Sequence, residues 1–208
     1  MSIKNIFISG PPGSGKSTLL MDIVKDLERH GYRIRGILCP EVRIHGRRWG
    51  FKVVVYPEGD EEILASIEIR RGPRVSKYGV NIVGFERVGV GALRVALEDP
   101  DVDIVIVDEI GKMELFSEGF RSVILSLLNS DKIIIGVLGR VRDPLVYSIK
   151  RRRDTKIFEL SRGMDNASRS KLRKQIVKMV IDILEGAKLD DYLEGIPKKV
   201  TSHDISMS

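Results

Sequence analysis

Apolar positions along this chain fall alternately into short continuous runs and into stripes of helical spacing, a pattern that predicts strands and helices in turn. Ile3, Ile6, Phe7 and Ile8 form a buried-strand run that stops at Gly10, where Gly and Pro crowd too closely for a helix. Next, Leu19, Leu20, Ile23, Val24 and Leu27 share one helical face, Asp22, Lys25, Asp26 and Glu28 cover the other, and Gly31 supplies the stop. Residues 33–39 (RIRGILC) predict a second strand, so the chain opens as the βαβ unit of a mostly parallel sheet.

Residues 40–83 break that rhythm. Trp49 to Tyr56 is β-branched and aromatic, Pro57-Glu58-Gly59-Asp60 is a turn, and Lys77 to Val83 alternates, so the segment predicts an antiparallel insertion on the sheet edge. A helix is expected over Phe85 to Glu98, ended by Asp99-Pro100. Val102, Ile104, Val105, Ile106 and Val107 predict a strand buried on both faces, and it ends on Asp108 and Glu109. An amphipathic helix over Glu114 to Asn129, a buried strand over Lys132 to Leu138 and a short strand over Thr155 to Leu160 follow. Ser168 is placed to cap a last helix, whose face of Leu172, Ile176, Val177, Val180, Ile183 and Leu184 runs to Gly186. The fold class expected is a three-layer α/β/α domain over residues 1–188, with residues 189–208 a tail, mobile or docking a partner.

Composition narrows the classes of function. At 208 residues and 42% hydrophobic, the chain has material for one core. It contains no apolar run of eighteen residues and no basic-then-apolar leader, so a soluble, cytoplasmic protein without a membrane partner is expected. A single cysteine, Cys39, excludes an internal disulfide and a multi-cysteine metal site. His30, His45 and His203 are too scattered for a histidine zinc centre. Charged residues reach 31% while Gln175 is the only glutamine, a balance that leans toward a heat-adapted source. The net charge of +6 suits a polyphosphate substrate or a nucleic-acid backbone.

The chemistry concentrates in two stretches. Gly10, Gly15, Lys16 and Ser17 satisfy the phosphate-loop (Walker A) spacing G-x-x-x-x-G-K-[ST], with Pro11, Pro12, Gly13, Ser14 and Thr18 completing the nucleotide-binding segment. Glycines let such a loop turn its N–H groups inward, and the following helix adds the positive end of its dipole. Lys16 then reaches the β and γ phosphates, and the Ser17 hydroxyl ligates Mg²⁺. The second stretch is Ile106, Val107, Asp108, Glu109, Ile110 and Gly111, a Walker B pattern at the carboxyl end of a strand, where open α/β sheets bind ligands. Two adjacent carboxylates there call for a cation, which suits Asp108 as the second Mg²⁺ ligand and Glu109 as the group that orients the attacking water. The plainer alternative makes Asp108 a helix cap and Glu109 a surface acid. Arg140 and Arg142 fall at the same sheet edge, either on the nucleotide or in an ordinary loop. Arg43, Arg47 and Arg48 form either a solvated hairpin or a phosphate contact, and Lys150 to Arg153 is a basic run facing nucleotide or solvent.

GPPGSGKSTL, EVR followed by GRRWGF, and DEIGKMEL, in this order and at these separations, resemble the small nucleoside-triphosphatase family first described from thermophiles, a P-loop group with a RecA-like sheet. The resemblance covers about residues 3 to 185. It implies Mg²⁺-dependent hydrolysis of the terminal phosphate of ATP, GTP and other NTPs with broad base tolerance. It supports Lys16 and Ser17 on phosphate and metal, Asp108 on metal and Glu109 on water, and it draws Arg43, Arg47 and Lys112 toward the phosphates or the transition state. The chain departs from the family pattern at LGRVRDP after KIIIGV and at RGMDN after the penultimate strand. Two rivals remain: a nucleotide or small-molecule kinase using the same loop, with residues 40–83 as lid, and a nucleotide-switched nucleic-acid-binding protein. A strand-end glutamate that activates water speaks against the first, and the lack of an aromatic stacking platform speaks against the second. A monomer is expected.

Overall fold

The Val- and Ile-rich runs assemble as the middle of one ten-stranded mixed sheet. The computed structural model describes residues 3–194, with side chains described through residue 186. In chain order the elements begin β1 (Asn5–Ser9), α1 (Lys16–Arg29), β2 (Ile34–Leu38), β3 (Glu41–Ile44), β4 (Arg47–Tyr56), β5 (Glu61–Ser66), β6 (Arg74–Val75) and β7 (Tyr78–Val80). The short helix α2 (Ile82–Phe85) continues through a π-helical turn, Glu86–Val90, into α3 (Gly91–Glu98). Then come β8 (Ile104–Ile110), a 3₁₀ turn (Glu114–Phe116), α4 (Glu118–Asn129), β9 (Ile133–Leu138), α5 (Pro144–Arg151), β10 (Thr155–Glu159) and α6 (Asn166–Glu194).

Strands β10, β1, β9, β8 and β2 lie side by side in parallel, so their carboxyl ends share one edge. Only β9 separates the strand leading into the glycine loop from the strand carrying the acids. Beyond β2 the sheet turns antiparallel through β4, β5, β7 and β6, with β3 folded back on β4 as a hairpin. The antiparallel insertion expected over residues 40–83 is therefore an extension of the same sheet.

Both faces of the parallel part are covered, which is why its strands lack polar alternation. Ile6 and Ile8 of β1 pack with Leu19, Leu20, Ile23 and Leu27 of α1 and with Ile176 and Val180 of α6. Phe7 points the other way, into the layer holding Phe85, Leu93, Phe120, Ile124 and Val146. Each such buried side chain stabilises the fold by about 1.5–3 kcal/mol relative to exposure.

Several boundaries differ from the sequence expectation, each for a local reason. The strand expected to reach Val83 ends at Val80, because Asn81 caps a helix instead, its Oδ1 accepting from Gly84 N–H at 3.0 Å. The helix expected over Glu114 to Asn129 is interrupted by Ser117, whose backbone is extended and whose hydroxyl accepts from Phe120 N–H at 2.9 Å. Helix α5 lies where the hydrophobic pattern predicts no element; Asp143 caps it, accepting from Leu145 N–H at 2.9 Å, and Pro144 opens its first turn. The last helix is capped by Asp165 rather than Ser168, since Asp165 accepts from both the Ser168 N–H (2.8 Å) and its hydroxyl (2.6 Å). That helix also runs past Gly186 to Glu194, and residues 195–208 of the expected tail lie outside the described residues. Among the described residues, no helix is long and apolar enough to cross a membrane.

Candidate active site

β1 delivers the chain to the shared edge at Ser9, and the loop must then turn into α1 within six residues. Gly13 and Gly15 take φ of +74° and +84°, the left-handed region that side chains resist. Gly10 is needed for space: a β-carbon there would stand 2.3 Å from the Leu160 carbonyl oxygen of the chain beyond β10. Helix α1 starts at Lys16 on Gly15, which has no side chain to cap it, so its first-turn N–H groups are left for a ligand. Lys16 Nζ folds back over the loop, donating to the Gly10 and Pro11 carbonyls at 3.2 Å each.

β8 brings the acids to the same place. In a regular strand Asp108 and Glu109 would point to opposite faces. Here the register slips: Val107 pairs with Gly136 and Ile110 with Leu138, so β8 carries one residue more than β9 at this point. The bulge spans the two acids, and bulges re-aim side chains beside functional sites. The Asp108–Glu109 peptide is cis. Ser17 Oγ donates to Asp108 Oδ1 at 3.0 Å, a contact between residues 91 positions apart. Ile106 and Val107 themselves are fully buried and serve as the platform for the acids.

A third acid, Glu114, stands behind them at 4% exposure. A β-carbon on Gly111 would lie 2.4 Å from Glu109 Oε1 and 2.9 Å from Glu114 Oε2, so the two carboxyl groups flank this glycine. Burial raises the Asp108 carboxyl to about 6; the Ser17 hydrogen bond opposes this, Glu109 adds to it, and Lys16 opposes it again. Glu109 is likewise raised by burial and lowered by Lys16. Glu114 is pushed up to about 8, first by burial and then by the charges of Glu109 and Asp108.

This last shift has a sign that can be measured. Folded Glu114 keeps its proton across a range where an unfolded glutamate, near 4.5, has lost it. Its contribution to stability is therefore complete below about 4.5 and lost as pH rises through about 8. Glu114→Gln is expected to remove that slope. In metal-free denaturant melts at pH 5 and pH 9, the wild type should lose on the order of 2–4 kcal/mol more than the variant. An offset between the two proteins that does not change with pH would contradict the assignment.

Of the residues singled out in the sequence, Lys16, Ser17, Asp108 and Glu109 come together. Arg140 lies at the same edge but is engaged with Glu159 at 2.7 Å. Arg43 sits on the β3–β4 hairpin, bonded to Glu41 (2.5 Å) and to the Gly46 carbonyl (3.0 Å), with Arg47 exposed beside it; Lys112 is exposed after β8. Within LGRVRDP, Asp143 serves structure, binding Arg121 through two bonds of 3.0 and 2.7 Å while capping α5.

Three further residues stand at this place without a signal in the hydrophobic pattern. Glu114 looked like an ordinary first-turn residue of a helix, although its place in DEIGKMEL was the available signal. Arg162 donates to the Pro12 carbonyl at 3.2 Å, and Arg169 of α6 donates to the Ser14 (2.6 Å) and Gly15 (3.1 Å) carbonyls. No local spacing announces either arginine.

A glycine cradle after one parallel strand, an Asp-Glu pair at the end of another and a hydroxyl–carboxylate contact joining them define a P-loop nucleoside-triphosphatase fold. Comparison with known proteins agrees: residues 5–177 match the family model described as NTPase, and the chain belongs to that family. It is 40% identical over 178 residues to the nucleoside-triphosphatase THEP1 of Methanothermobacter thermautotrophicus, covering 85% of this chain and 96% of that protein. Its identity to the THEP1 of Korarchaeum cryptofilum is 41% over 152 residues, covering 73% of this chain and 77% of that one. Among solved structures, THEP1 from Aquifex aeolicus superimposes with a TM-score of 0.71 at 32% identity, covering 85% of this chain and 98% of that one. A human cancer-related nucleoside triphosphatase superimposes with a TM-score of 0.70 at 34% identity, covering 85% and 97%.

Proposed function

We propose that this protein hydrolyses the terminal phosphate of ATP, GTP and other nucleoside triphosphates, giving NDP and phosphate, with Mg²⁺ as cofactor and broad base tolerance. The observation that carries the reading is the Ser17–Asp108 contact of 3.0 Å, which joins the phosphate loop to the acidic strand end and leaves Glu109 beside it. Relatives named as nucleoside-triphosphatases over most of their length support it.

The donor set fits the metal. Ser17 Oγ and Asp108 Oδ1 are hard oxygen ligands already within one coordination sphere of each other. Among the described residues, no group of three or more His, Cys, Asp or Glu side chains is arranged to hold an ion. That suits Mg²⁺, which takes one or two protein oxygens and completes its shell with substrate phosphates and water. When bound, Mg²⁺ supplies charge neutralisation on the phosphate oxygens.

The chain's own groups do the rest. The loop amides and the first turn of α1 hold the β and γ phosphates, and Lys16 adds a full positive charge where negative charge moves as the bridging bond breaks. Glu109 orients a water in line with that bond and takes up its proton as the water oxygen bonds phosphorus. No covalent enzyme intermediate is needed. A cytoplasmic location and a monomeric state go with this reading.

Phosphate release from ATP, GTP, CTP and UTP, with and without Mg²⁺, tests the proposal. All four should be hydrolysed, within about tenfold of one another, and removal of the metal should lower turnover about 10²-fold or more. Release that appears only on addition of an acceptor alcohol would identify a kinase instead.

A further inference from the structure

Arg169 is not explained by the chemistry above. It sits in the first turn of α6, a helix anchored on α1 by Ile176, Val177 and Val180 in their shared apolar cluster and by an Arg173–Asp26 ion pair at 3.1 Å. From that fixed base its guanidinium spans two successive peptide groups of the phosphate loop, Nη2 on the Ser14 carbonyl at 2.6 Å and Nη1 on the Gly15 carbonyl at 3.1 Å. Gly15 makes room for it: a β-carbon there would stand 2.3 Å from Arg169 Nη2. The glycine is required for its φ of +84°, and its bare Cα also lets the guanidinium sit against it.

Peptide geometry converts this grip into an effect on the ligand. In a planar trans peptide the C=O and the following N–H point in opposite directions. The Gly15 oxygen is also held by α1's own bond from Leu19 N–H at 3.0 Å, so the added hold falls mainly on the Ser14 oxygen. Drawing that oxygen toward α6 turns the Gly15 N–H to the other side, into the cradle beside the Lys16 N–H. A planar two-pronged donor fixes both peptides together, and a charged donor polarises them, which strengthens the N–H groups as donors. Arg162, on the Pro12 carbonyl at 3.2 Å, braces the loop from the same flank.

We infer that Arg169 is a positioning residue, one that sets the aim of the loop amides from outside and so tunes phosphate affinity without touching the nucleotide. The inference rests on the reading of residues 10–17 as the phosphate site. The amides it orients grip the β-phosphate, which NTP and NDP share. The effect should therefore fall on both ligands alike and on KM rather than on kcat.

The test is affinity for ATP and ADP by calorimetric titration, with KM, kcat and Tm, for wild type, Arg169→Ala, Arg169→Lys and Lys16→Ala. Arg169→Ala should weaken ATP and ADP in step, each about tenfold, raise KM by the same factor, leave kcat within about threefold and shift Tm by a few degrees at most. Lysine keeps the charge and one of the two bonds, so Arg169→Lys should fall about threefold short of wild type, and this variant decides the matter if the alanine variant does not fold. Unchanged affinities, full rescue by lysine, a loss confined to ATP, or a loss accounted for by the unfolded fraction would each overturn the inference. Lys16→Ala separates the two levels. If it loses affinity while Arg169→Ala does not, only the positioning role fails; if Lys16→Ala also binds normally, the phosphate site itself has been misassigned.

Discussion

Glu109→Gln is expected to bind ATP about as tightly as the wild type and to release phosphate roughly 10²- to 10⁴-fold more slowly, the range that a positioned base contributes. The substitution keeps the size of the side chain and its place between Gly111 and Gly139, whose β-carbon positions lie 2.4 and 3.3 Å from Glu109 Oε1. What it removes is the capacity to accept a proton. Burial raises the Glu109 carboxyl and Lys16 opposes that rise, so its carboxylate is a better base than that of a solvated glutamate. Single-turnover phosphate release, set beside equilibrium ATP binding, separates the two quantities. Turnover surviving in Glu109→Gln would move water activation to another residue or to the substrate's own phosphate.

Lys16→Ala should fail at both steps, losing about tenfold or more in ATP affinity and at least about 10²-fold in turnover. Two physical effects add here. In the proposed mechanism the ammonium is the positive charge on the phosphates, and it also opposes the burial penalty on Glu109 and, after the Ser17 hydrogen bond, on Asp108. Without it both carboxyl groups hold their protons to higher pH, and a protonated Asp108 is a poor ligand for a hard cation. Lys16→Arg should not restore function. Nζ is packed against the Gly10 and Pro11 carbonyls at 3.2 Å, a space shaped for a compact ammonium rather than a planar fork. The check is ATP binding and turnover across pH: the alanine variant should need a more alkaline solution than the wild type to reach its own maximum. Normal binding by Lys16→Ala would remove the loop from the mechanism.

Elements built from local rules were the easiest to read in the chain. β1, α1, β8 and β9 have unbroken apolar runs or clear helical stripes, because both sheet faces are covered and α1 presents one flank to the core. Helix α5 escaped notice because only Leu145, Val146 and Ile149 of its eight residues are buried, and its arginine-rich end resembles a solvated loop. The Asp143-Pro144 pair, an N-cap followed by proline at the first position, was the signal on offer. Gly186 suggested a stop for α6 that the helix ignores, since glycine inside a helix costs only about 1 kcal/mol and the preceding apolar face is already docked.

The residue order by itself determined the cradle, the acid pair and the class of chemistry, because a glycine loop, its lysine and its helix start are contiguous and follow from backbone rules acting over a few residues. It also settled that the acids stand at a strand end. Only the tertiary structure decided how these pieces meet. Strand order put a single strand between β1 and β8, a bulge turned Asp108 and Glu109 out of strict alternation, and burial made Glu114 a third, proton-holding carboxyl. Folding also brought Arg169 against a loop 154 positions away. The reason is that register, desolvation and contacts of this reach depend on how elements pack against one another, and no window along a single chain contains that information.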